Sequence, residues 1–153
     1  LRHLWRKLRG RFQRFGYAAV SFGTPLSLAA FLTDTHAAPT ERLAEALMDR
    51  IRANVPVLPV PLAALALGED RQVDEPTLRI RAAALVGTFE AKGAHLNLPS
   101  GSSDARLEAG LQSLAVRGIV SRSEGCVTVN PGDSDLIAFY AASVRQLLDA
   151  SAA

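Results

Sequence analysis

This chain has few of the residues that most often carry chemistry. Its 153 residues include one cysteine, one methionine, one tryptophan and three histidines, and aromatics make up only 6%. A lone cysteine, Cys126, excludes an internal disulfide and suits a reducing compartment. With no histidine or cation directly beside it, Cys126 reads as a small buried hydrophobe rather than a reactive thiol. Leu, Val and Ala must therefore fill most of any core. The hydrophobic fraction of 48% is enough for a folded chain. The length suits one ordinary domain, at roughly 150 residues per domain.

Acidic charge is missing from the start of the chain. Arg2, Arg6, Lys7, Arg9, Arg11 and Arg14 stand there without a carboxylate. The chain has 17 basic and 15 acidic residues, so removing these six cations leaves 11 against 15, a net −4. Basic character belongs to one arm. At about 100° per residue, Leu1, Leu4, Trp5, Leu8, Phe12 and Phe15 fall within an arc of roughly 100°, with cations on the flanks. The expected membrane-interface set is Leu4, Trp5, Arg6, Lys7, Leu8, Arg9, Arg11 and Phe12, a helix lying in an anionic bilayer surface. The alternative is a helix that packs its stripe on protein. Nucleic-acid binding fits less well, because the aromatics sit on the apolar stripe and not among the cations.

Long membrane spans are missing too. The uncharged run from Phe15 to Thr33 imitates a signal peptide or short span, but Gly16, Ser21, Gly23, Thr24, Pro25 and Ser27 interrupt it. Within it, Tyr17 to Phe22 reads as a strand buried on both faces, the kind that needs sheet neighbours. Nothing else in the chain supplies them.

Beyond Pro39 the pattern is helical. Thr40 to Ala53 carries Leu43, Leu47 and Ile51 on one face, with Thr40 as cap and Glu41, Glu45 and Asp49 on another. Stacked carboxylates without histidine read as a solvated face, not a metal site. Val55 to Pro61 reads as an extended linker, and Leu62 to Leu67 as a short helix stopped by Gly68. Asp74 with Pro76 opens a helix with Leu78, Ala82, Leu85, Val86 and Phe89 inward, and Gly93 stops it. Ser103 or Asp104 caps the next, with Leu107, Leu111, Leu114 and Ala115 inward. Ile119 to Arg122 and Cys126 to Val129 form a hairpin around Ser123-Glu124-Gly125. Asp133 or Ser134 caps a last helix with Leu136, Tyr140, Val144 and Leu147 on one side.

Three helices followed by a hairpin is the order of a winged helix. A nucleic-acid-binding or regulatory module is therefore the competing reading, with Asp104 to Arg117 as the recognition helix. That helix offers Arg106, Gln112 and Arg117 but also Asp104 and Glu108, in an acidic surrounding. A packing unit appended to an enzyme suits it better.

Two blocks carry a family resemblance. Phe22-Gly23-Thr24-Pro25-Leu26-Ser27-Leu28 resembles the FGxPxSL-like end of a strand in the glycerol-3-phosphate acyltransferase family. Phe139-Tyr140-Ala141-Ala142-Ser143-Val144, with Leu147-Leu148, is similar to that family's C-terminal FYANS-type helix. The start at Leu1, without Met, agrees with the C-terminal part of such an enzyme. The resemblance implies a mainly α chain with a minor β part, in two portions. Residues 1–38 would be the edge of an α/β acyltransferase domain, and residues 39–153 a winged-helix-like helical module. It also implies acyl transfer from acyl-CoA or acyl carrier protein to the 1-hydroxyl of glycerol 3-phosphate. The setting would be the cytoplasmic face of the inner membrane, in phospholipid synthesis, with no cofactor and no nucleic acid.

The family's catalytic H-x4-D pairs a general-base histidine with an orienting aspartate. Here His36 is followed by Glu41 across Pro39, on the wrong side of the FGxP block. His3 meets Leu8 at that spacing, and His95 meets Ser100. No catalytic or substrate-binding residue is assigned to this chain.

Overall fold

The computed structural model describes residues 20–34 and 38–149. Two helices come first, α1 (Leu28–Asp34) and α2 (Pro39–Ala53), and a denser unit follows. That unit runs α3 (Pro59–Leu67), β1 (Gln72–Asp74), α4 (Glu75–Ala91), α5 (Ser103–Val116), β2 (Val120–Ser123), β3 (Cys126–Val129) and α6 (Ser134–Asp149). The chain is mainly α with a minor β part, as its sequence implies.

The unit is organised around α3. Its sequence, PVPLAALAL, is apolar on every side, which a helix tolerates only when neighbours surround it. It packs against α4, α5 and α6, and Leu62, Ala63, Ala64, Ala66 and Leu67 are all buried. Pro59 and Pro61 belong to its first turn, so the expected linker ends earlier, at Leu58. First-turn amides have no intrahelical acceptor, so proline costs nothing there. At the other end Gly68, at φ 66°, closes the helix, and Arg81 Nη1 donates to the Ala66 and Leu67 carbonyls.

Two apolar clusters flank α3. One joins Leu67, Leu78, Leu114, Val127 and Ile137 beneath the sheet; the other joins Val57, Leu62, Phe89, Val144 and Leu147. The inward faces of α4 and α5 match the sequence pattern, with Leu85 and Ala115 only half-buried. The last helix is rotated from its expected face. Ile137 and Ala141 are buried with Val144 and Leu147, while Leu136 and Tyr140 sit half-buried at the margin.

The sheet has the antiparallel order β1-β3-β2. The hairpin lies one residue later than expected on its first strand, with Ser123 paired to Cys126 across Glu124 and Gly125. Both turn residues have positive φ, 52° and 74°, which matches the right-handed twist of a tight hairpin. Strand β1, which the sequence pattern did not show, pairs Val73 with Val127. Asp74 leaves that strand as the cap of α4, its Oδ1 accepting from the Thr77 amide at 2.8 Å. Helix, strand, two helices and a hairpin reproduce the winged-helix order, with α6 added.

The first part departs most from expectation. Residues 20–27 form no strand or helix, and Val20 and Phe22 are 81% and 92% exposed. Among the described residues, the end of the expected strand pairs with no other strand; Tyr17 to Ala19 lie outside them. Helix α2 begins at Pro39 with Ala38 before it, so Thr40 is not its cap. None of its residues is buried: Leu43 is half-covered, and Leu47 and Ile51 face solvent.

Candidate functional site

An open cleft of about 280 Å³ lies between α4, α5 and β2. Leu107 and Leu111 line its apolar side, and Glu75, Arg79, Asp104, Glu108 and Arg122 give it charge. Each charged group comes from a different local constraint. Glu75 is the first residue of α4, where its carboxylate meets the positive end of the helix dipole. Its amide donates to the Gly125 carbonyl at 2.8 Å, which ties the hairpin turn to that helix end. Glu108 sits one turn after Asp104 on α5, and Arg122 lies on β2.

Arg122 binds these elements together. Its Nε and Nη2 donate to Glu75 Oε1 at 3.1 and 2.7 Å, and Nη1 donates to Glu108 Oε1 at 2.5 Å. Arg79 stands 3.6 Å from Glu75 and 3.8 Å from Asp104. The bonds to Glu108 and then Glu75 hold the Arg122 guanidinium charged above its already high ordinary value. Every charge in the cleft therefore has a partner within it. No histidine lines the cleft, and its three carboxylates are each paired with Arg79 or Arg122, so none stands as a free general base. Its geometry clamps the hairpin to the helices.

The outer face of α5 is where a winged helix would read a groove. Asp104, Ala105, Glu108 and Gln112 are exposed there. Arg106 stands 3.4 Å from Glu90, and Arg117 Nη1 donates to Tyr140 Oη at 3.1 Å. Recognition of phosphates and base edges calls for outward-facing Arg, Lys, Asn or Gln. On this face Asp104 and Glu108 are paired with Arg79 and Arg122, and Arg106 and Arg117 are already engaged with Glu90 and Tyr140.

The other expected positions are dispersed. Leu4, Trp5, Arg6, Lys7, Leu8, Arg9, Arg11, Phe12 and His36 lie outside the described residues. Glu41 is an exposed first-turn acid of α2, as its sequence position implies. His95 is exposed, and its backbone carbonyl accepts from the Val57 amide at 2.8 Å. Cys126 is half-buried on β3 rather than buried. Among the described residues, no group of three or more His, Cys, Asp or Glu is placed to hold a metal ion, and no helix is long and apolar enough to cross a membrane.

The C-terminal block sits in the middle of α6. Tyr140 leans on the core edge and takes the Arg117 hydrogen bond, while Ala141 and Val144 face inward. Phe139 is 70% exposed, its ring edge-on to Tyr140 with centroids 5.9 Å apart. A family model described as the glycerol-3-phosphate acyltransferase C-terminal region matches residues 1–148. The chain belongs to that family. The match spans both resemblance blocks and nearly all of the winged unit, so the acyltransferase C-terminal region includes the α3-centred core. Searches of curated proteins and of solved structures find no significant match.

Sequence reasoning missed the Arg122 clamp. Glu75 and Glu108 stand 47 and 14 residues from Arg122, and no local spacing links them.

Proposed function

We propose that this chain is the C-terminal part of a membrane-associated glycerol-3-phosphate 1-O-acyltransferase that supplies lysophosphatidate for phospholipid synthesis. The family match over residues 1–148 carries this reading. The acyl group passes from the thioester of acyl-CoA or acyl carrier protein to the 1-hydroxyl of glycerol 3-phosphate. That step needs a base for the hydroxyl proton and an electrostatic site for the tetrahedral oxyanion. The absence of an H-x4-D pair from this sequence and the self-paired cleft support placing both in a segment preceding Leu1.

The chain's own part is structural and interfacial. Its winged unit serves as a packing module that does not bind nucleic acid, a reading supported by the engagement of the α5 arginines Arg106 and Arg117 within the fold. The cationic arm lies at the anionic cytoplasmic surface of the inner membrane as a peripheral contact, supported by its aromatic stripe and flanking arginines.

Assay of the 153-residue chain alone should give no acyl transfer to glycerol 3-phosphate, and joining it to the segment encoded upstream should give activity. Turnover by the chain alone would overturn the placement of the catalytic groups. A Leu1–Phe15 peptide should bind anionic vesicles and leave them as salt rises, since charge attraction is screened over about 10 Å at 0.1 M. Equal binding to neutral vesicles at high salt would remove the electrostatic account. Residues 40–153 should not shift duplex DNA; a tight, sequence-specific shift would make the winged unit a DNA reader.

A further inference from the structure

Residues 20–24 form no helix or strand, yet two side chains from the C-terminal end of α2 hold them. Ser21 Oγ donates to Asn54 Oδ1 at 3.0 Å, and Arg50 Nη1 donates to the Thr24 carbonyl at 3.0 Å. Gly23 lies against Asn54 as well. A β-carbon at Gly23 would stand 3.7 Å from Asn54 Cγ and Nδ2 and 3.9 Å from Asn54 Cβ. Ser21 and Gly23 thus face the end of α2, while Val20 and Phe22 are exposed. That alternation is the period of an extended chain.

Asn54 is itself fixed from the other side. It caps α2, its amide donating to the Arg50 and Ile51 carbonyls at 3.2 and 3.1 Å. Further along, Val57 is fully buried. Its amide donates to the His95 carbonyl at 2.8 Å, and its carbonyl accepts from the Asn97 amide at 3.0 Å. Between and beyond them, Val55 precedes Pro56 and Leu58 precedes Pro59, a context that keeps both residues extended. This short, stiff strut carries the position of Asn54 into the second apolar cluster, where Val57 packs with Leu62 and Phe89.

We propose that Asn54 is a positioning residue, which sets the Phe22-Gly23-Thr24-Pro25 block at one place on the α3-centred unit. Capping α2 uses the Asn54 backbone amide, which leaves its side chain for Ser21 and Gly23. The consequence for catalysis rests on the acyltransferase reading proposed above. In that reading the block leads out of the catalytic segment, so the Asn54 contacts decide how that segment is set against the winged unit.

The 3.9 Å separation is close to that of disulfide-bonded β-carbons, about 3.8 Å. Gly23 has no left-handed φ, so a side chain suits its backbone. In a Cys126→Ala background, which removes the single native thiol, Gly23→Cys/Asn54→Cys should close a disulfide within one 153-residue chain under oxidised glutathione. Failure to close at unchanged helical ellipticity, or disulfides only between chains, overturns the placement. If that variant unfolds, nuclear Overhauser contacts between Ser21 and Asn54 in the unaltered chain decide the same point, and their absence overturns it. With the segment encoded upstream attached, Asn54→Ala should lower kcat roughly fivefold, the scale of one lost hydrogen bond, at an unchanged unfolding midpoint. The reduced Gly23→Cys/Asn54→Cys enzyme should show the same loss, and oxidation should restore it. A residue acting only on stability would move the midpoint and show no such rescue where both forms are folded. Full activity of Asn54→Ala, or activity lost on oxidation and regained on reduction, overturns the role. An inactive joined parent protein counts against the acyltransferase reading instead, and the disulfide in the 153-residue chain still decides whether Asn54 holds the block.

Discussion

Gly110 on α5 faces the backbone of Pro59 at the start of α3, so closely that a β-carbon at position 110 would fall 2.2 Å from the Pro59 carbonyl oxygen. Ala63 Cβ would be 2.7 Å away. The two helices cross there without side-chain material between them. Gly110→Ala should gain up to about 1 kcal/mol of helix propensity, yet destabilise the protein overall by roughly 1–3 kcal/mol through overpacking. Denaturant unfolding measures the balance. A stabilised variant would mean that the crossing opens readily.

Phe89 is the largest fully buried side chain, packed with Val57, Leu62 and Val144. Phe89→Ala should cost about 3–5 kcal/mol, in line with other large-to-small core changes. Phe139→Ala, on an exposed ring, should cost less than about 1 kcal/mol. Thermal melts of the pair should separate them clearly.

The Arg122 clamp should couple unequally to its partners. Side-chain exposure is 24% at Glu75 and 53% at Glu108, so water screens the second pair more. Double-mutant cycles pairing Arg122→Met with Glu75→Gln or Glu108→Gln should give about 1 kcal/mol for Glu75 and a few tenths for Glu108. Both values should shrink with added salt. Equal couplings would contradict the exposure argument.

Asp74 titrates below the ordinary aspartate range because the Thr77 amide donates to its carboxylate. Its folded-state pKa is depressed, so its contribution is fully present above the unfolded-state value and fades as pH falls through the folded-state value. Asp74→Ala should lower the melting temperature at neutral pH, and the gap from the parent protein should narrow below about pH 4, the ordinary aspartate value. Asp74→Asn keeps a capping oxygen and should melt close to the parent at neutral pH. An Asp74→Ala gap that does not change with pH would remove the carboxylate from the explanation.

Hydrogen exchange should divide the chain at α2. Residues 20–27 lie in no helix or strand and should exchange rapidly, while residues 78–89 and 107–117 should be protected. Attaching the segment encoded upstream should slow exchange at Val20 and Phe22. Strong protection there in the chain alone would show that this stretch already has its partners.

The denser half of the fold was legible because its signals are local. Asp74 before Pro76, the apolar spacing from Leu78 to Phe89, and Glu124-Gly125 between two Val-rich runs each act over a few residues. Strand β1 was not, since three residues with one inward Val carry no periodicity and owe their conformation to β3. The start of α3 was hidden by its prolines, which look like a linker until the first turn is recognised as free of amide demands. The pattern of α2 marks a helix with an apolar face, and that face is largely exposed, because amphipathicity shows that a face is apolar and not that anything lies on it. The Arg122 clamp depends on three elements meeting, and no spacing along the chain announces it.

The wrapping of α3 by α6 has a consequence during synthesis. Val57, Leu62 and Phe89 share their cluster with Val144 and Leu147, which are made only after the hairpin. A ribosome that has finished the hairpin has still not produced the wall that keeps this cluster dry. A chain interrupted before Ser134 would therefore present bare leucine and phenylalanine to chaperones and proteases, with no smaller stable product to settle into. Quality control of this polypeptide is thus concentrated at α6, so copies cut short before it should be cleared rather than accumulate as half-working modules.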